Sequence, residues 1–275
     1  MAFAHAMAAS GLNVVTPELP DIKDYRVSER SIQVIGASAK WYAQQRRAPV
    51  GVMGLSFSGG LALVAAADQQ YTSSMRFVFA VGSQGAMTRV ADYYRTGSTP
   101  RPDGTTEILA AHEYGPLVLE YEHVDEFVPA SDAAPIRSVL RAHLYEDKTA
   151  EDAAARLLTP KQAAEAKSLM DATSDSTRSL LQTSATKHLA DMKALSPDTH
   201  LSDLTVPVFL LHGEGDNIIP AAETLWMASE LKAETLQAAL VSPVLSHLDI
   251  TKQPDAADEW KLVHFMALVL RAAQR

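Results

Sequence analysis

Cysteine is absent from the 275 residues. That removes disulfides, thiolate metal ligands and a cysteine nucleophile at once. Cations are scarce relative to acids: 24 Lys and Arg face 33 Asp and Glu, a formal net charge of −9 at pH 7. No Lys/Arg cluster interrupts that balance, so nucleic acid and anionic membrane surfaces are poor partners. Long apolar runs are lacking too, with none near the roughly 18–20 residues that cross a bilayer. The opening MAFAHAMAASGLNVV meets its first cation only at Lys23. It therefore lacks the basic start of a secretory signal and reads as a helix running into a strand. These absences lead to the expectation of a soluble, cytoplasmic protein with no membrane span.

What is present is enough apolar material for a large core: 47% of residues are hydrophobic and 21% charged, as in ordinary globular proteins. Residues 2–9 are an Ala-rich helix followed by Gly11, and 12–19 (LNVVTPEL) read as a strand stopped by Pro20. Residues 28–46 are helical. Short apolar runs at 49–54 and 76–82 bracket a small-residue helix at 59–68. The same rhythm returns late, with strands at 206–212 and 236–242 and helices near 221–233 and 255–273. Apolar runs that do not alternate suit strands covered on both faces, so the pattern predicts an α/β fold with a doubly wound, mostly parallel sheet.

The middle of the chain is different. Between 97 and 200 no strand is evident, and 97–105 (GSTPRPDGT) reads as a polar linker or exposed loop. Helices are expected near 131–145 and 176–195, and Thr159-Pro160-Lys161-Gln162 has the makings of a capping box. Residues 1–96 and 201–275 are thus expected to form the α/β core, and 97–200 a helical insertion.

Chemistry concentrates at three strand ends. In PVGVMGLSFSGG (49–60), Ser56 stands where a buried strand turns abruptly into a helix, with Gly54 and Ser58 two positions to either side. A serine on such a turn projects its Oγ above the sheet and needs small neighbours. An ordinary glycine-rich turn is the alternative reading. Asp216 follows the strand at 206–212 in HGEGDNIIP, and His247 follows the strand at 236–242 in SPVLSHLD. Chemistry in open α/β sheets gathers at the carboxyl ends of the strands. Three loops therefore bring a nucleophile, an acid and a base to one edge.

The segments GLSFSGG (54–60), LLHGEGDNIIP (210–220) and SHLD (246–249) resemble the α/β-hydrolase superfamily, in particular its serine esterase and lipase-like members. The order Ser56, Asp216, His247 matches that superfamily's triad. The resemblance implies a nucleophile, an orienting acid and a general base in that order. It also implies that residues 97–200 form a cap over the pocket and that the backbone N–H of Phe57 is one oxyanion donor. The second donor in such enzymes comes from a loop after an earlier strand, which the sequence does not contain. A truncated N-terminus is the favoured explanation, ahead of an incomplete chain or an element exchanged within a homo-oligomer. Without that donor, activity on an ester is expected to be weak or absent.

The implied function is cleavage of a small carboxylic ester through an acyl-enzyme, with no cofactor and no metal. The alternatives are a catalytically silent binding protein, or thioesterase, peptidase or acyltransferase chemistry on the same fold. Glu214 competes with Asp216 for the acid's role. Asp249 reads as a surface or capping group, His212 as a buried hydrogen-bonded residue and His264 as structural. His112-Glu113 lacks the second histidine of a zinc helix, and His5, His123, His143, His188 and His200 show no ligand spacing. The carboxylates Glu107, Glu113, Glu120, Glu122, Asp125 and Glu126 read as a solvated face. Tyr114, Leu117, Leu119, Phe127 and Met170 suggest an apolar pocket or simply core.

Overall fold

The computed structural model describes residues 2–171, 174–245 and 255–274. Its strands are β1 (Val50–Leu55), β2 (Met75–Val81), β3 (Ser98–Pro100), β4 (Thr106–Ile108), β5 (Val208–Gly213) and β6 (Leu236–Ser242). The main sheet is parallel throughout, in the spatial order β1-β2-β5-β6. Around it lie α1 (Ala2–Ala9), α2 (Pro20–Lys23), α3 (Glu29–Arg46), α4 (Phe57–Ala67), α5 (Gln69–Thr72) and α6 (Met87–Thr96). The central stretch supplies α7 (Tyr114–Glu122), α8 (Val124–Phe127), α9 (Ala130–Leu144), α10 (Lys148–Ala155), α11 (Pro160–Met170), α12 (Asp175–Lys187) and α13 (Leu189–Ala194). Finally α14 (Ala222–Glu230) links β5 to β6, and α15 (Ala256–Gln274) ends the described chain.

The two central strands, β2 and β5, are buried on both faces, as their lack of alternation demands, while β1 and β6 at the edges of the sheet are only partly covered. In β2, Val78 and Ala80 join a large cluster with Leu61, Leu63, Val208 and Leu210, on the side of α3 and α4. Their neighbours Phe77, Phe79 and Val81 point the other way, onto Phe209, Leu211, Phe265 and Val269, so α15 covers the second face. Edge-to-face packing of Phe77 on Phe209, with ring centres 5.6 Å apart, fills that second layer. This is the α/β architecture expected from the sequence, with helices on both sides of a parallel sheet. Among the described residues, no helix is long and apolar enough to cross a membrane.

Three local expectations fail. Residues 12–19 form no strand; they run irregularly, with Val14 and Val15 41% and 45% exposed. Pro17 interrupts that β-branched run and removes a ladder donor. Among the described residues β1 consequently pairs with β2 alone. Residues 97–105 are no free linker, because β3 and β4 close an antiparallel hairpin there. Asp103-Gly104 makes its turn, with Gly104 at φ 84°. The helix expected at 176–195 is broken at His188 into α12 and α13. The capping box at Thr159 is present, with both reciprocal hydrogen bonds made.

Candidate active site

Ser56 occupies the turn between β1 and α4 with φ 54° and ψ −139°. Only glycine reaches that backbone region without strain, and other residues held there cost roughly 1–3 kcal/mol. The surroundings enforce it. Ser56 N–H donates to the Val81 carbonyl at 2.8 Å, and its own carbonyl accepts from Gly59 N–H at 3.0 Å. Ser58 Oγ donates to Leu55 O at 2.6 Å and accepts from Leu55 N–H at 3.0 Å, so this second hydroxyl is committed to the turn itself. A Cβ on Gly54 would sit 2.4 Å from Gly59 Cα, and one on Gly59 would sit 1.9 Å from Ser83 Oγ. The helix start can therefore close against the strand only with glycine at both positions. Gly59 is the requirement that the sequence reading missed. Phe57 N–H opens α4, where a helix has no internal acceptor for its first donors.

Asp216 lies in the turn after β5 and is fully buried. Its Oδ1 accepts from Ile218 N–H and Ile219 N–H, both at 2.9 Å. Its Oδ2 lies 3.3 Å from His212 Nε2. His212 is itself fully buried, with Nε2 2.8 Å from the Ile219 carbonyl and Nδ1 2.7 Å from Thr224 Oγ1. A carbonyl only accepts, so Nε2 carries the hydrogen and aims it at the Ile219 and Asp216 oxygens. The carboxylate is thus held by two backbone amides and faced by an imidazole N–H. Glu214, the rival acid, is exposed.

Parallel pairing puts both groups at the same edge of the sheet. Leu55 is opposite Val81, and Val81 opposite Leu211, so Ser56 and Asp216 follow strands two places apart. Adjacent strands are spaced about 4.8 Å, which leaves about 10 Å of backbone separation for side chains and one imidazole ring to span. Strand β6 ends at this edge with Ser242. The candidate base His247, and Asp249 with it, lie beyond it, outside the described residues.

A polar underlayer fixes the loops. Glu223, buried on α14, accepts from Gly85 N–H at 2.8 Å, Ala86 N–H at 2.7 Å and Arg89 Nε at 2.8 Å, tying the loop after β2 to the next crossover. Tyr93 donates its hydroxyl to the Asn217 carbonyl at 3.1 Å, steadying the Asp216 turn from α6. Burial, reinforced by the Asp216 carboxylate, raises the Tyr93 and Tyr94 phenols above their ordinary range, so both remain protonated. His112, between β4 and α7, braces the same turn by donating its backbone N–H to Asn217 O at 2.8 Å, and its Nδ1 accepts from Tyr114 N–H at 3.2 Å. His264 is exposed on α15.

The acidic run from Glu107 to Glu126 is not a uniform solvated face. Glu120 is fully buried, and burial pushes its carboxyl up to about 8. Leu117, Leu119 and Phe127 belong to the buried core, with Tyr114 and Met170 packed at its margin. A surface cleft of about 580 Å³ lined by Arg95, Thr96, Arg178, Ser179, Gln182 and Thr183 opens in the helical region, away from Ser56 and Asp216.

The family described as X-Pro dipeptidyl-peptidase (S15 family) matches residues 36–247, more than half of the chain. No curated protein matches. Among solved structures, a putative lipase from Acinetobacter baumannii is 15% identical, covering 94% of this chain and 71% of its own at a TM-score of 0.41. An esterase from Exiguobacterium antarcticum is 13% identical, with coverages of 90% and 75% and a TM-score of 0.40. A putative non-heme bromoperoxidase from Mycobacterium tuberculosis H37Rv is 17% identical, with coverages of 86% and 74% and a TM-score of 0.41. The match spans most of the chain, which therefore belongs to the family described as X-Pro dipeptidyl-peptidase (S15 family) and has the α/β-hydrolase fold.

Proposed function

We propose that the protein is a serine hydrolase acting through an acyl-enzyme, with Ser56 as nucleophile, His247 as general base and Asp216 as the acid that orients it. The observation that carries this reading is the strained backbone of Ser56, φ 54° and ψ −139°, at the mouth of α4. A turn without chemistry to perform would be relieved by glycine there. In the proposed sequence of events Ser56 Oγ attacks the acyl carbon while His247 takes its proton. The Phe57 N–H receives the developing oxyanion. His247 then returns the proton to the leaving group, and water repeats the cycle to free the acid. Residues 97–200 act as a cap over the entrance. The preferred substrate is a small carboxylic ester.

A second reading, cleavage of the amide after an X-Pro dipeptide, is favoured by the family match. Ester and amide hydrolysis share every step named above and differ in the leaving group that His247 must protonate. A series of p-nitrophenyl esters beside an X-Pro p-nitroanilide separates the two by their kcat/KM ratio. Labelling by a fluorophosphonate tests the shared core: the intact chain should label and Ser56→Ala should not, with kcat lowered by about four orders of magnitude or more. Equal labelling of the two proteins would sink the assignment. An intact chain that stays unlabelled yet binds ligand would mark it as a silent hydrolase-like binder. The rate should also fall below about pH 6, as a histidine base takes up a proton, which a pH profile of kcat/KM reads directly.

A further inference from the structure

Away from the sheet edge, two corners of the helical region meet around one carboxylate. His123 sits between α7 and α8, and His188 between α12 and α13, so 65 positions of chain separate them. Their imidazoles nonetheless stack, with centres 3.8 Å apart and planes 7° from parallel. Glu126 completes the group: one ligand atom from each of the three residues lies within 4.8 Å of the other two.

We propose that His123, Glu126 and His188 form a binding site for a divalent transition-metal ion of the zinc type. Two imidazoles and a carboxylate are a donor set that suits zinc, leaving a fourth position for water. Donor atoms on a tetrahedral zinc stand about 3.3 Å apart, given bonds of about 2.0–2.1 Å. The His188 Nε2 to Glu126 Oε1 separation is already 2.9 Å. His123 must close by at most about 1.5 Å, tipping its ring out of the stack. One further observation points to a metal. Asp191 Oδ2 lies 3.3 Å from His188 Nδ1, the outer carboxylate that commonly orients a ligating imidazole and leaves Nε2 for the metal. Lys187 meanwhile donates its ammonium to the very Glu126 oxygen that His188 contacts. The Lys187 side chain is 64% exposed, so it can swing into solvent when a metal takes its place. The bound ion would pin the α7–α8 corner to the α12–α13 corner.

The test is titration of the whole chain with Zn²⁺ against a chromophoric chelator at about pH 7.5, where imidazole ligands are available. One equivalent should bind. His188→Gln and His123→Gln should each weaken binding by a factor of ten or more, and Asp191→Asn by about tenfold. Lys187→Ala should tighten it several-fold, because the competing ammonium is gone. Saturating Zn²⁺ should raise the unfolding temperature of the intact protein and not that of His188→Gln. Absence of stoichiometric binding, or binding undiminished in both histidine variants, overturns the proposal. Should either histidine variant fail to fold, Lys187→Ala decides alone, and unchanged or weaker affinity there counts against the site.

Discussion

At the scale of single residues, the turn at Ser56 separates chemistry from stability. Replacing Ser56 by alanine removes the hydroxyl but keeps a Cβ at φ 54°, so the strain stays. Replacing it by glycine removes both. Ser56→Gly should therefore be more stable than Ser56→Ala by about 1 kcal/mol, the relief of strain outweighing glycine's extra entropy in the unfolded chain. Denaturant midpoints of the two variants check this, and both should be inert. The serine was legible because its small neighbours and its place between strand and helix are local. Gly59 was not, since the atom it must avoid, Ser83 Oγ, comes from the loop after another strand. The same reason hid His123 and His188, whose stacking depends on how two distant helix corners meet.

At the scale of elements, Glu223 joins α14 to the loop that leads from β2 into α6. Glu223→Ala would leave two backbone donors and the Arg89 guanidinium without their shared acceptor. Loss of one member of a buried ion pair is strongly destabilising, and here about 3 kcal/mol is expected, visible as a lowered denaturant midpoint with little change in slope. The parallel strands and their crossover helices were readable because continuous apolar runs and helix periods are properties of short windows. Residues 12–19 were misread for the opposite reason: two valines suggested a strand, while Pro17 made ladder pairing unfavourable. The β3–β4 hairpin was missed because its strands are three residues each. Runs so short carry too little alternation to register, and only Asp103-Gly104 marked the turn.

At the scale of the whole molecule, Glu120 makes stability depend on pH in an unusual direction. Its carboxyl is raised from 4.5 to about 8 by burial. Below about pH 4.5 it is protonated in both folded and unfolded chains and adds no dependence. Between about 4.5 and 8 the unfolded chain releases the proton and the native one keeps it, so native stability falls by about 1.4 kcal/mol per pH unit. Above about 8 the loss levels off. Glu120→Gln, uncharged at every pH, should match the wild type more closely near pH 5 and exceed it in stability near pH 8. Chemical denaturation at the two pH values measures the difference. Composition could not foresee this, because Glu120 sits in a run of acids that looks solvated until α7 packs against α9 and α11 and turns one of them inward.

The pairing of β1 with β2 alone, among the described residues, carries a further consequence for how its amides trade protons with solvent. Val50 N–H and Ser56 N–H both donate toward the β2 side. Alternate residues of a strand direct their amides to opposite sides, so those of Val52 and Gly54 share that protection while those of Gly51 and Met53 face away from β2. In deuterated buffer the strand should label in a comb, with Gly51 and Met53 fast and Val52 and Gly54 slow, although all four share one short element leading to the nucleophile.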